Sequence, residues 1–134
     1  MKKLMFDSSV WIDVFRGREN PESLFLRSAL VDGLNIFICP PIIQELLQGA
    51  RDYSNLVYLQ NRLASLIKTN NEPYEMAENA GVLFYNLRKK GITIRKPNDC
   101  LIAVYCIINN IELVHNDSDF DLIAQNSPLK IYKP

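Results

Sequence analysis

The sequence lacks the features that would place it in a membrane, on a secretory route or among disulfide-stapled folds. No uninterrupted apolar run approaches the ~20 residues needed to span a bilayer, and too few apolar residues follow the two N-terminal lysines for a signal peptide. Cysteines are few: Cys39, Cys100 and Cys106. An odd number without metal-type pair spacing reads as free, mostly buried thiols in a reducing compartment. These absences predict a cytoplasmic protein. An excess of charge is missing too, because 15 basic residues cancel 15 acidic ones. A strongly basic balance is the usual electrostatic footprint of a nucleic-acid binder, so any such function must rest on local arrangement. Repeats, linkers and low-complexity tracts are also absent.

What is present suits a globular fold. With 134 residues, 48% of them hydrophobic, the chain is expected to form one domain over 1–134 and to bury roughly two-thirds of its unfolded surface without a staple. Residues 3–6 predict a short buried strand. Ser8 or Ser9 caps the helix that follows, with Val10, Trp11, Val14 and Phe15 inward. A polar break at 16–21 precedes a helix over 22–31, closed by Asp32-Gly33. Residues 35–39 predict a second strand, and Pro40-Pro41 opens a helix from Ile42 to Gln48 with Gly49 as its C-cap. Further helices are predicted over 54–68, from Pro73 to about Lys90, and from Pro97-Asn98 through Asn110. A third strand over 112–115, a turn at 116–118, a short helix from Phe120 and a last strand over 129–132 complete the pattern. Residues 92–94 are too short to assign. Strands alternating with helices predict an α/β fold with a mostly parallel sheet.

Such sheets bind ligands beyond the carboxyl ends of their strands, and four acids belong there. Asp7 directly follows the first strand, and Asp117 lies two residues past the third. Glu45 stands about one turn into the helix after the second strand, and Asp99 in the first turn of the helix feeding the third. Each of three acids has a local explanation: Asp7 as a helix N-cap, Asp99 as a first-turn acid, Asp117 as an Asx-turn residue. Glu45, flanked by Ile42, Ile43, Leu46 and Leu47, has none. Two like charges ~4 Å apart repel by several kcal/mol at a surface-like dielectric, so a carboxylate cluster raises its own pKa values or binds a cation. Oxygen ligands without His or Cys favour Mg²⁺ or Mn²⁺. With nothing to hold a dinucleotide, such a site suggests phosphodiester hydrolysis. The reading requires Asp7 to lie within metal-sharing reach of Asp99 and Asp117.

Four segments in register carry a resemblance across the whole chain: Asp7-Ser8-Ser9-Val10-Trp11-Ile12-Asp13, Glu45-Leu46-Leu47-Gln48-Gly49, Asn98-Asp99-Cys100-Leu101-Ile102-Ala103 and Asn116-Asp117-Ser118-Asp119-Phe120. Together they resemble the PIN-domain ribonucleases, especially VapC-type toxins of toxin–antitoxin pairs. The resemblance implies a three-layer α/β/α sandwich and a Mg²⁺- or Mn²⁺-dependent endoribonuclease. It places metal-ligand roles on Asp7, Glu45, Asp99 and Asp117, with Ser9 as a supporting hydroxyl and Asp119 as an additional acid that ligates directly or through water. It also implies a homodimer, a small cognate antitoxin, and structured RNA such as tRNA or rRNA as substrate. His115 departs from the pattern, since many relatives carry a small hydroxyl residue there. It is expected to be a strand-end histidine with a local backbone partner.

Arg95 and Lys96, just ahead of Asp99, are candidates for holding the RNA backbone. Arg88 to Lys90 reads equally well as a solvated helix end. Trp11, Tyr53, Tyr58, Tyr74 and Tyr85 are expected in the core rather than as base-stacking platforms, as is the stripe Leu56, Leu59, Leu63 and Leu66. Among rivals, a receiver domain needs an adjacent acidic pair after its first strand, whereas Phe6-Asp7-Ser8 offers one acid. A dehalogenase-like phosphatase needs a second aspartate where Ser9 stands. A housekeeping RNA-processing nuclease of the same family and a non-catalytic binding domain remain as alternatives.

Overall fold

A computed structural model describes residues 2–134. Along the chain it runs β1 (Leu4–Phe6), α1 (Ser8–Phe15), α2 (Pro21–Asp32), β2 (Ile36–Ile38), α3 (Pro40–Gln48), α4 (Tyr53–Ala64), β3 (Ile67–Lys68), α5 (Pro73–Lys89), α6 (Asn98–Ile108), β4 (Glu112–Val114), α7 (Asp119–Gln125) and β5 (Lys130–Ile131). The strands form one sheet in the order β3-β2-β1-β4-β5, and every pairing is parallel. Helices on both faces complete the expected three-layer α/β/α arrangement, which explains the continuous apolar runs: β1 is buried at every position.

The strand order places the site. From β1 the chain winds outward through β2 to β3, then returns to the other side of β1 for β4 and β5. The order therefore reverses between β1 and β4, and the crevice beyond their carboxyl ends is where open α/β sheets hold ligands. Leu4, Met5 and Phe6 pair with Glu112, Leu113 and Val114, and the Asp7 N–H donates to the Val114 carbonyl at 2.9 Å. The residues after the two strands are thus held side by side.

Local signals explain most element ends. Asn20 and Ser23 form a reciprocal capping box with Pro21 in the first turn of α2, and Gly33 takes the left-handed conformation (φ 67°) that ends it. Asp52 caps α4 and Glu72 caps α5. Two expectations need correction. Asp7, rather than Ser8 or Ser9, caps α1 by accepting the Ser9 N–H. The helix predicted over 54–68 stops at Ala64, and Ile67–Lys68 instead joins the edge of the sheet beside β2. Both edge residues are exposed, so no alternation of apolar and polar residues announced them.

The core is centred on Phe6, Trp11, Phe120 and the α6 residues Ile102 and Cys106, all fully buried. Leu59 and Leu63 of the predicted leucine stripe are buried too. The tyrosines are not: Tyr53, Tyr58, Tyr74 and Tyr85 are exposed. All three cysteines are free and buried. Burial pushes the Cys39 thiol up to about 12 and Cys100 to about 11, so neither is a nucleophile at neutral pH. Among the described residues no helix is long and apolar enough to cross a membrane.

Candidate metal centre

Each acid reaches the switch point through a different element. Asp7 ends β1 and caps α1, Glu45 sits in the middle of α3, Asp99 in the first turn of α6, and Asp117 and Asp119 flank the start of α7 after β4. Asp7, Asp99, Asp117 and Asp119 are buried, at 2%, 2%, 8% and 6% exposure. Four buried acids at one sheet edge are too costly for a structural role unless each is paired or a cation is shared.

The tightest grouping is Asp99, Asp117 and Asp119, which offer carboxylate oxygens all within 4.8 Å of one another. Asp119, expected only as an additional acid, is therefore in the inner set. Asp7 and Glu45 belong to no such three-acid group among the described residues. They face the same space nonetheless. Asp99 is pushed up to about 7 by its burial first, then by the charge of Asp7 and of Asp117, with a smaller contribution from Glu45; Lys96 opposes the rise. Its Oδ2 is buried without any hydrogen-bond partner. An orphaned carboxylate oxygen amid other carboxylates fits a shared cation, and an all-oxygen donor set suits a hard divalent ion.

Asp117 is arranged differently. Burial alone would raise its pKa, but the Asp119 N–H at 3.0 Å and the Lys96 and Arg95 cations outweigh it and hold the carboxyl below the usual range. Lys96 Nζ lies 3.1 Å from Asp117 Oδ2, and Arg95 spans Asp117 Oδ1 at 3.3 Å and Asp119 Oδ2 at 3.2 Å. The Arg95 backbone N–H also donates to Asp119 Oδ2. Both residues considered for holding RNA thus have their charges engaged by the acids.

Supporting contacts fix the remaining carboxylates. The Ser9 hydroxyl donates to Asp7 Oδ2 at 2.7 Å and accepts the Asn116 N–H at 3.1 Å, tying the ends of β1 and β4 together. Ser8, read from sequence only as a cap, donates its hydroxyl to Glu45 Oε1 at 2.8 Å. That bond crosses from α1 to α3, which no sequence spacing reveals. Behind the turn, the Asn116 side-chain amide donates to Asp13 Oδ2 and Asn20 Oδ1. Asp13 and Asn20 were missed as site-supporting residues, although Asp13 closes the first motif. His115 accepts the Asp117 N–H at Nδ1 (3.1 Å), which leaves Nε2 facing Asp121 Oδ1 at 3.2 Å. This local backbone partner is the one expected for a strand-end histidine.

Comparison with known proteins places this geometry. The PIN domain family model matches residues 4–126. A VapC ribonuclease of Mycobacterium bovis and Ribonuclease VapC11 of Mycobacterium tuberculosis are each 31% identical over 128 residues, covering 95% of this chain and 96% of theirs. Among solved structures, VapBC2 of Rickettsia felis bound to a promoter DNA fragment superposes with a TM-score of 0.73 at 22% identity, over 96% of both chains. DNA-bound VapBC of Salmonella typhimurium gives 0.72 at 21% identity, over 98% of both. With motifs, topology and acid cluster in agreement, this chain belongs to the PIN-domain family, within its VapC group.

Proposed function

We propose that this protein is a metal-dependent endoribonuclease and the toxin of a type II toxin–antitoxin pair. The single observation that carries the chemistry is the buried, unpartnered Asp99 Oδ2 beside Asp117 and Asp119. Asp99, Asp117 and Asp119 would hold Mg²⁺ or Mn²⁺. Asp7, whose charge acts most strongly on Asp99, and Glu45 would complete the set directly or through water. The bound ion supplies Lewis acidity toward water and stabilises charge on phosphoryl oxygens.

The chain's own residues prepare the site. Ser9 and Ser8 hold the Asp7 and Glu45 carboxylates in fixed orientations, so water placed between them and the triad meets acceptors on both sides. Arg95 and Lys96 offset part of the charge on Asp117 and Asp119.

Structured RNA such as tRNA or rRNA is the proposed substrate, a small antitoxin and a second copy of the chain the proposed partners, and the cytoplasm the proposed location. The VapBC complexes among the structural neighbours support the antitoxin partner, and the names of the curated relatives support RNA cleavage. The test is incubation with total RNA in Mg²⁺ or Mn²⁺, with and without chelator, beside Asp7→Asn. Cleavage that needs metal and is lost in the variant is expected; equal cleavage by variant and parent would sink the assignment. Independently, Mn²⁺ at a hundredfold excess over Kd should stabilise the fold by ~2.7 kcal/mol.

A further inference from the structure

Among the described residues, the arginines divide into two groups. Arg18 and Arg95 are ion-paired, Arg27 is hydrogen-bonded and Arg88 lies over the Phe84 and Tyr85 rings, whereas the guanidinium groups of Arg16, Arg51 and Arg62 have no ion-pair or hydrogen-bond partner, and Arg16 and Arg51 are exposed. Both line the same cleft, of about 450 Å³, which has Ile12, Phe15, Leu59 and Glu45 among its walls. That volume falls within the roughly 300–1,000 Å³ of ligand sites. The cleft therefore shares one acid, Glu45, with the candidate site, sets the apolar side chains of Ile12, Phe15 and Leu59 beside polar ones such as Asn55, and carries two uncommitted cations. The Arg51 segment is held in place, because its backbone N–H donates to Asn55 Oδ1 and Asp52 caps α4.

We propose that this cleft is the subsite for a single-stranded RNA nucleotide flanking the scissile phosphate, with the base against Ile12, Phe15 and Leu59 and the adjoining phosphates on Arg16 and Arg51. The proposal rests on the RNA-cleaving reading above and moves backbone recognition from Arg95 and Lys96 to two residues, one at the C-terminal cap of α1 and one just ahead of α4. The chemistry matches on three counts. An apolar wall accepts any base face, free guanidinium groups suit phosphate, and Glu45 joins the cleft to the site where the bond would break.

The test is binding, not cleavage. A fluorescein-labelled single-stranded RNA of about ten nucleotides is titrated in EDTA at several salt concentrations, by anisotropy. Each phosphate contact on a single strand contributes ~0.7 to the slope of log K against log salt, equivalent to about fivefold at 0.1 M. Arg16→Ala with Arg51→Ala should therefore weaken binding about 25-fold and lower the slope by ~1.4, while Arg88→Ala on α5 changes neither. An unchanged slope in the double variant overturns the proposal, as does an equal loss in Arg88→Ala. So does a double variant that binds RNA normally but no longer binds an antitoxin peptide, which would assign the cleft to a protein partner. Thermal stabilisation by Mn²⁺ should be the same in parent and double variant. A parent that binds the oligonucleotide through Arg16 and Arg51 yet cleaves no RNA would uphold the cleft and sink the activity.

Discussion

Replacing Asp99 with asparagine should make the metal-free protein more stable while destroying its response to metal. In the fold Asp99 keeps its proton to about pH 7, against an ordinary 3.8, chiefly because it is buried and secondly because Asp7 is close. Below about pH 4 the group is protonated in both folded and unfolded chains, and the variant has no advantage. As pH rises from about 4 to 7 the unfolded chain releases the proton but the fold retains it, so the parent steadily loses stability. Above about 7 the loss is complete and constant. The difference of roughly 3 pH units corresponds to about 4 kcal/mol at most, at ~1.36 kcal/mol per unit. A buried amide keeps part of the desolvation cost, so Asp99→Asn should gain about 2–4 kcal/mol at pH 8, on the order of 10 °C in Tm for a domain of this size. Chemical denaturation in chelator at a series of pH values from 4.5 to 8.5 would measure it. A variant no more stable than the parent at pH 8, or a gap that does not grow between pH 4.5 and 7, would refute the argument that Asp99 is a buried charge waiting for a cation.

Metal affinity should fall about tenfold per pH unit below 7, since binding must displace the Asp99 proton; titration calorimetry in buffers of different ionisation enthalpy should show that proton released. Lys96→Met removes the ammonium 3.1 Å from Asp117 Oδ2. Because that side chain is 59% exposed, the metal-free fold should lose less than about 1 kcal/mol, while Mn²⁺ binds up to about fivefold tighter without the competing cation. Unchanged or weaker Mn²⁺ binding in calorimetry would show that Lys96 does not compete.

The sheet edge was legible because strands ending in an acid leave few other readings. Phe6-Asp7 and the turn after Val114 marked two strand ends, and helix polarity sent Glu45 and Asp99 to the same side. Alternation of strands and helices predicted a mostly parallel sheet, and every pairing is in fact parallel. What sequence could not supply was reach across elements. Ser8 to Glu45 and Arg95 to Asp119 are contacts between segments 37 and 24 residues apart, and nothing in their spacing distinguishes an ion-paired arginine from a free one. For the same reason Asp119 read as a supporting acid, ligating directly or through water, although α7 turns it into one group with Asp99 and Asp117. Strand β3 escaped because two exposed residues at a sheet edge carry no periodic signal.

The pairing of β1 with β4 also has a consequence for the order in which the site comes into being. The bond from the Asn116 N–H to Ser9 Oγ closes a loop of 107 residues, and until residues 112–119 have been made, β1 has no neighbour on that side and two of the three inner carboxylates do not exist. Synthesis proceeds from the N-terminus, so a growing chain carries Asp7 and Glu45 for most of its translation, and Asp99 for its last quarter, before Asp117 and Asp119 exist to complete the set. For a protein proposed to cut RNA, that topology withholds activity from the nascent chain while the ribosome is still making it.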